Sequence, residues 1–99
     1  MITPAASPVQ PKQRPAAPRL LGPEVLLMAP TTMAEADQLI EAVRGNRTIV
    51  INLSALPEAA GQRLVDYACG GMAAIDGQSH QLGHGVFLFT SGLTRVEAA

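Results

Sequence analysis

Proline decides how much of this chain can fold. Six of the eight prolines (Pro4, Pro8, Pro11, Pro15, Pro18 and Pro23) fall within the first 23 of 99 residues, among alanine, glutamine, serine and arginine. Each removes a backbone donor, and the stretch holds too few large apolar groups to offset the entropy of ordering it. Residues 1–22 therefore read as a disordered, partly extended Pro/Ala-rich linker, residues 23–92 as one folded domain, and residues 93–99 as a C-terminal tail. A domain this short has room for one small core.

Composition narrows what that core can be. The chain is 47% hydrophobic, yet Tyr67, Phe87 and Phe89 are its only aromatic residues. The interior must be packed with aliphatic and small side chains, and no aromatic platform is available for stacking nucleic-acid bases. Residues 1–23 carry three basic and no acidic side chains, whereas residues 24–99 carry four basic against eight acidic. A folded part of that sign repels a phosphate backbone, so nucleic acid is not an expected partner. Cys69 is the single cysteine, which excludes an intrachain disulfide and fits a reducing, cytoplasmic setting. Apolar runs fall far short of the roughly 20 residues of a spanning helix. Pro4, Pro8 and Pro11 interrupt any signal-peptide core.

Periodicity assigns the elements. Glu24 to Ala29 is a short apolar run stopped by Pro30, which suits a strand buried on both faces. Thr32 and Glu35 have the spacing of a capping box, and a helix is predicted from about Met33 to Arg44, with Met33, Ala36, Leu39, Ile40 and Val43 on its buried side. Gly45-Asn46 can end it. Thr48 to Leu53 is β-branched and apolar, as in a central strand. A second helix enters at Ser54 or Pro57 and runs to about Cys69, where Gly70-Gly71 should stop it. Three strands are predicted beyond: Met72–Ile75, Ser79–Leu82 and Val86–Thr90, joined by turns at Asp76-Gly77 and Gly83-His84-Gly85. The order β-α-β-α-β-β-β calls for a two-layer α/β sandwich, two helices on a mixed sheet of four to five strands.

No arrangement of reactive groups points to catalysis. His80 and His84 are four residues apart but lie among glycines, where strand alternation separates them, and a solvent-facing hairpin is the better reading than a metal site. Gly77, Gly83 and Gly85 precede no helix, and the folded part has no lysine for a phosphate cradle. Cys69 sits at a predicted helix C-terminus, where the dipole disfavours a thiolate. Ser54 lacks the flanking glycines of a nucleophile elbow, and Glu58 with Asp66 reads as a solvated helix surface. No catalytic residue, cofactor or metal is assigned. The informative remainder is apolar surface: Phe87 and Phe89 share one side of the last strand, Val86 and Leu88 the other, and one of those faces is a candidate for self-association or a partner.

From Glu24 to Ser91 the order of residues resembles the SepF family of bacterial cell-division proteins. The resemblance is carried by Val25-Leu-Leu-Met-Ala-Pro30, Ala36 to Ile40, the strand Arg47 to Leu53, and Arg63-Leu-Val-Asp-Tyr67 followed by Gly70. It continues through Ala74-Ile75-x-Gly77, Gln81-Leu82-Gly83 and Val86-Phe87-Leu88-Phe89-Thr90. The set in order, with these spacings, is specific where each piece alone is not.

The resemblance implies a non-enzymatic adaptor at the division site that forms homodimers, can polymerise, and receives the C-terminal peptide of FtsZ, supporting Z-ring assembly and septum formation. In the family that peptide docks near a hairpin bearing a basic residue and an aromatic six positions later. Those positions are Gln81 and Phe87 here, so the aromatic is kept and the charge is not. Leu82 and Phe89 are the further partner-binding candidates, with Gly77 and Gly83 shaping the turns and assembly contacts. Ala73 stands where the family usually has an aromatic, Asp76 where it often has glycine, and Ser91 in place of a proline. Family members open with an amphipathic membrane helix; residues 1–22 present no continuous apolar helical face, so no autonomous membrane binding is expected of this chain. The alternative is a STAS-like regulatory domain, which Ile49 to Ser54 also resembles, although Pro57-Glu58-Ala59-Ala60 fills the region of that family's phosphorylated serine.

Overall fold

The computed structural model describes residues 24–99, and the expectations for the linker lie outside them. The described elements are β1 (Val25–Met28), α1 (Glu35–Arg44), β2 (Thr48–Asn52), a single 3-10 turn (Leu53–Ala55), α2 (Glu58–Ala74), β3 (Gln78–Gly83) and β4 (Val86–Thr90). The sheet runs β1-β2-β4-β3. β1 and β2 are parallel and joined through α1, whereas β4 is antiparallel to both β2 and β3. The β2-α2-β3 unit is thus split by β4 inserted between its strands. Both helices cover one face, which gives the expected two-layer α/β sandwich.

Alternation divides each strand between the layers. Ile49 and Ile51 of β2 and Phe89 of β4 are fully buried beneath the helices, with Ala36, Leu39 and Val43 of α1 and Leu64, Ala68 and Met72 of α2. Fully burying an aliphatic or Phe side chain contributes about 1.5–3 kcal/mol, so these few residues carry much of the fold. The opposite sheet face is uncovered over most of its width. There Leu27, Val50, Leu88 and His80 form one cross-strand row, and Leu27 is 80% exposed. Only one end of that face is closed. Thr48 and Thr90 join hydroxyls at 2.8 Å across β2 and β4, and Thr90 donates to Thr94 at 2.9 Å. The Gln78 amide donates to the carbonyls of Ser91 and Thr94 at 2.9 and 2.6 Å, folding the C-terminal segment over that end.

Helix α1 starts two residues later than its periodicity suggests, after a tight turn in which Glu35 and Ala36 donate to the carbonyls of Thr32 and Met33. Half of the capping box forms: the Glu35 carboxylate reaches back to the N–H groups of Thr31 and Thr32 at 2.9 and 3.2 Å. The Thr31 N–H bond is the main reason the Glu35 carboxyl is held below its ordinary 4.5. At the other end Arg47 and Asn46 donate to Ala42 and Val43, with Asn46 at φ 66°. This is a Schellman closure with Asn in the left-handed position.

The region after Cys69 departs from the sequence reading. Gly70-Gly71 do not end α2, and the predicted strand Met72–Ile75 does not exist: residues 70–74 are helical. Gly61, Leu64, Val65, Ala68 and Met72 form one buried stripe at helical spacing, and Met72, 1% exposed, reaches the core only if the helix continues. Gly71 also has a packing reason to be glycine, since an added Cβ would lie 2.8 Å from Cγ1 of Ile40 on α1. Tyr67 bridges the same pair of helices, donating to Asp37 at 2.6 Å, and this bond pushes its phenol pKa up. Asp76-Gly77 is likewise no hairpin turn. Asp76 takes φ 58° and Gly77 donates to Met72 at 2.7 Å, so the pair closes α2 as Asn46-Arg47 closes α1. Among the described residues the sheet therefore has four strands.

Two measurements check this account. Gly70 has open space around its Cα, so Gly70→Ala is expected to raise stability by about 0.5–1 kcal/mol through helix propensity, whereas Gly71→Val lowers it by about 1–3 kcal/mol through overlap with Ile40; urea melts distinguish them. Because Glu35 ionises more readily folded than unfolded, its stabilisation is present above pH 4.5 and is lost as the pH falls through the lower folded value. Acid titration of Glu35→Gln should lack that part of the loss.

Candidate functional site

A groove of about 370 Å³ lies where the end of β2 meets the first turns of α2 and the β3–β4 hairpin. Its construction begins at Asn52, whose side-chain oxygen accepts the Ser54 N–H at 2.9 Å and turns the chain out of the sheet. Leu53 then donates its N–H to the carbonyl of Gly85 at 2.8 Å, tying the 3-10 turn to the hairpin tip. Gly85 makes that tip possible by taking φ 73°, a conformation that favours glycine. Leu56 donates back to Leu53 at 3.0 Å, and α2 begins after Pro57. Gly61 on α2 is buried, and a Cβ there would already touch Leu53 at 3.5 Å.

The floor is apolar, formed by Leu53, Leu56, Val65 and Phe87. Phe87 stacks on Phe89 with centroids 6.3 Å apart and rings 19° from parallel. Phe89 is fully buried, so it holds the ring of Phe87 in place from below and presents no surface of its own. The rim is polar: Gln62, Gln81, His84 and Glu58. Gln81 faces Phe87 directly in the β3–β4 register, with its amide donating to the carbonyl of Gly83 at 3.1 Å.

The remaining sequence candidates fall elsewhere. Leu82 sits at the register shift between Gln81 and Gly83, 57% exposed, and does not line the groove. Gly83 pairs with Val86 and has open space around it. Gly77 lies at the far end of the hairpin, where its Cα faces Met72 and the Thr90 carbonyl so closely that a Cβ would stand 2.8 and 3.2 Å from them. His80 belongs to the open sheet face and His84 to the groove rim, so the two imidazoles are not brought together. A larger depression of about 630 Å³ at the opposite end, between the helix C-termini and Leu93, contains none of the expected site residues.

Of the residues that line the groove, Phe87 and Gln81 were site candidates in the sequence, whereas Leu53, Leu56, Val65, Glu58 and His84 were not. The available signal was the Asn52-x-Ser54 turn followed by Pro57, which forces a bend and a new helix just beyond the central strand. The arrangement offers apolar recesses for side chains beneath amides that can bond an extended backbone, which is binding chemistry.

Residues 25–96 match the family model described as cell division protein SepF. The chain is 41% identical over 73 residues to the cell division protein SepF of Synechococcus elongatus and 38% identical to that of Trichormus variabilis, covering 74% of this chain in each case. It spans 38% and 37% of the length of those relatives. In structure it is similar to a SepF-like protein from Pyrococcus furiosus, with a TM-score of 0.68 at 11% identity over 90% of this chain and 100% of the other. A SepF-like protein from Archaeoglobus fulgidus gives 0.67 at 12% over 75% and 92%. At such identities these two likenesses establish the fold alone; the family match over residues 25–96 and the relatives at 41% and 38% identity show that the chain belongs to the SepF family of cell-division proteins.

Proposed function

We propose that this chain is a non-enzymatic cell-division adaptor that pairs with a second copy of itself and receives the C-terminal peptide of FtsZ, supporting Z-ring assembly at the division site. The observation that carries the reading is the meeting of Gln81 and Phe87. They occupy the positions at which the family resemblance puts peptide contact, and they face one another across β3 and β4 at a groove with an apolar floor. Phe87 supplies the anchor: a half-buried ring already held by Phe89 loses little freedom when a second apolar group covers it.

The open sheet face supports self-association. Leu27, Val50 and Leu88 lie side by side on it, with Val25 at 59% exposure beside them. A monomer of this size gains by covering such a row, and a second copy presents the same row, which is the condition for a two-fold interface. Face-to-face packing of two such sheets would bury the row in the manner of a sandwich core.

Fluorescence anisotropy with a labelled FtsZ C-terminal peptide tests the first part. Binding is expected to fall about tenfold or more in Phe87→Ala and less in Phe87→Leu, which refills part of the volume; a parent chain that does not bind the peptide removes the reading. Sedimentation velocity tests the second. The parent chain should sediment as a dimer and Leu27→Glu as a folded monomer, and a strictly monomeric parent at tens of micromolar overturns the pairing.

A further inference from the structure

We infer that the groove selects a peptide in which apolar anchors are accompanied by a basic residue, and that Glu58 is the residue that sets this preference. The inference rests on the reading that the groove docks a peptide, and it concerns which charge that peptide must bring.

Among the residues that line the groove, Glu58 alone carries a full charge at pH 7 with histidine neutral. The surrounding elements add nothing to oppose it. The 3-10 turn, β3 and β4 contain no lysine, arginine, aspartate or glutamate; the only histidines here are His80 of β3, on the other sheet face, and His84 in the turn between β3 and β4. On α2 the next charged residues are Arg63 and Asp66, neither of which lines the groove. The start of α2 has no side-chain cap, so its N–H groups present about half a positive charge. The carboxylate of Glu58, on that same turn, exceeds it. Gln81 adds to the preference in a neutral way: its amide N–H is turned to the Gly83 carbonyl, which leaves its oxygen as an acceptor for a donor on the ligand.

An arginine or lysine placed over the rim would therefore meet a carboxylate and an amide oxygen while its neighbours fill the recess over Phe87. An acidic residue in the same place would meet the like charge of Glu58. Each arrangement is solvent-accessible, so the discrimination is modest and sensitive to salt.

The test uses the full chain and two fluorescein-labelled peptides that share an apolar Leu/Phe core and differ only in flanking residues, arginine in one and glutamate in the other. At pH 7.5 and low salt the arginine peptide is expected to bind about three- to tenfold tighter, with the gap closing in high salt. Glu58→Gln should remove the preference, and Glu58→Lys or Gln81→Lys should turn it toward the glutamate peptide, with circular dichroism confirming that each variant folds. Equal binding of the two peptides, or tighter binding of the glutamate peptide, overturns the inference and leaves the docking reading intact. Failure of both peptides to bind overturns both.

Discussion

Alternation along β4 is the constraint on which the rest of the molecule depends. Its central position in the sheet means that each side chain faces either the helix layer or the open face, with no freedom to choose. Phe89 points inward and is sealed in the core. Phe87, two residues earlier, has the same direction but lies beyond the edge of the helix layer, where it becomes the floor of the groove. Leu88, between them, is delivered to the uncovered face beside Val50. One strand thus supplies part of the core, the floor of the groove and part of the open sheet face, and a shift of its register by one residue would exchange all three.

The helices are arranged around that strand by close approach. Gly71 lets Ile40 of α1 come against the backbone of α2, and Tyr67 bonds to Asp37 across the same seam. Met72 then reaches the core from the last full turn. The two helices end in the same way, each with a small polar residue in left-handed geometry, Asn46 and Asp76. The closures set the points at which the chain re-enters the sheet, and so fix where β2 and β3 begin.

Most of this layout is readable from the residue pattern, because the apolar runs of β1, β2 and β4 and the helical spacing in α1 locate those elements. β1 is nevertheless not buried on both faces as its run suggests: Val25 and Leu27 stand on the open one. The stretch from Gly70 to Gly77 is not readable in this way. Local preference there favours a helix stop and a hairpin, since glycine is poor in helices and Asp-Gly is good in turns. The four-residue spacing through Ala68 and Met72 pointed the other way, and tertiary packing decided in its favour. At the groove, Phe87 and Gln81 were legible from the resemblance. Leu53, Leu56 and Val65 come from three separate elements that only the folded backbone brings together, and nothing in their spacing announces it. Glu58 reads in the sequence as part of a solvated helix surface; that no other aspartate, glutamate, lysine or arginine lines the recess is a property of the folded surface and not of the chain.

The register shift between Gln81 and Gly83 also alters the outer margin of the sheet. Among the described residues β3 is an outer strand, paired with β4 alone, the kind of margin to which another chain can add. The irregularity at Leu82, the last residue but one of β3, breaks the regular ladder at the hairpin end of that margin. A ribbon laid along β3 would find a regular ladder only over Gln78 to Gln81, so sideways lengthening of the sheet past β3 is discouraged.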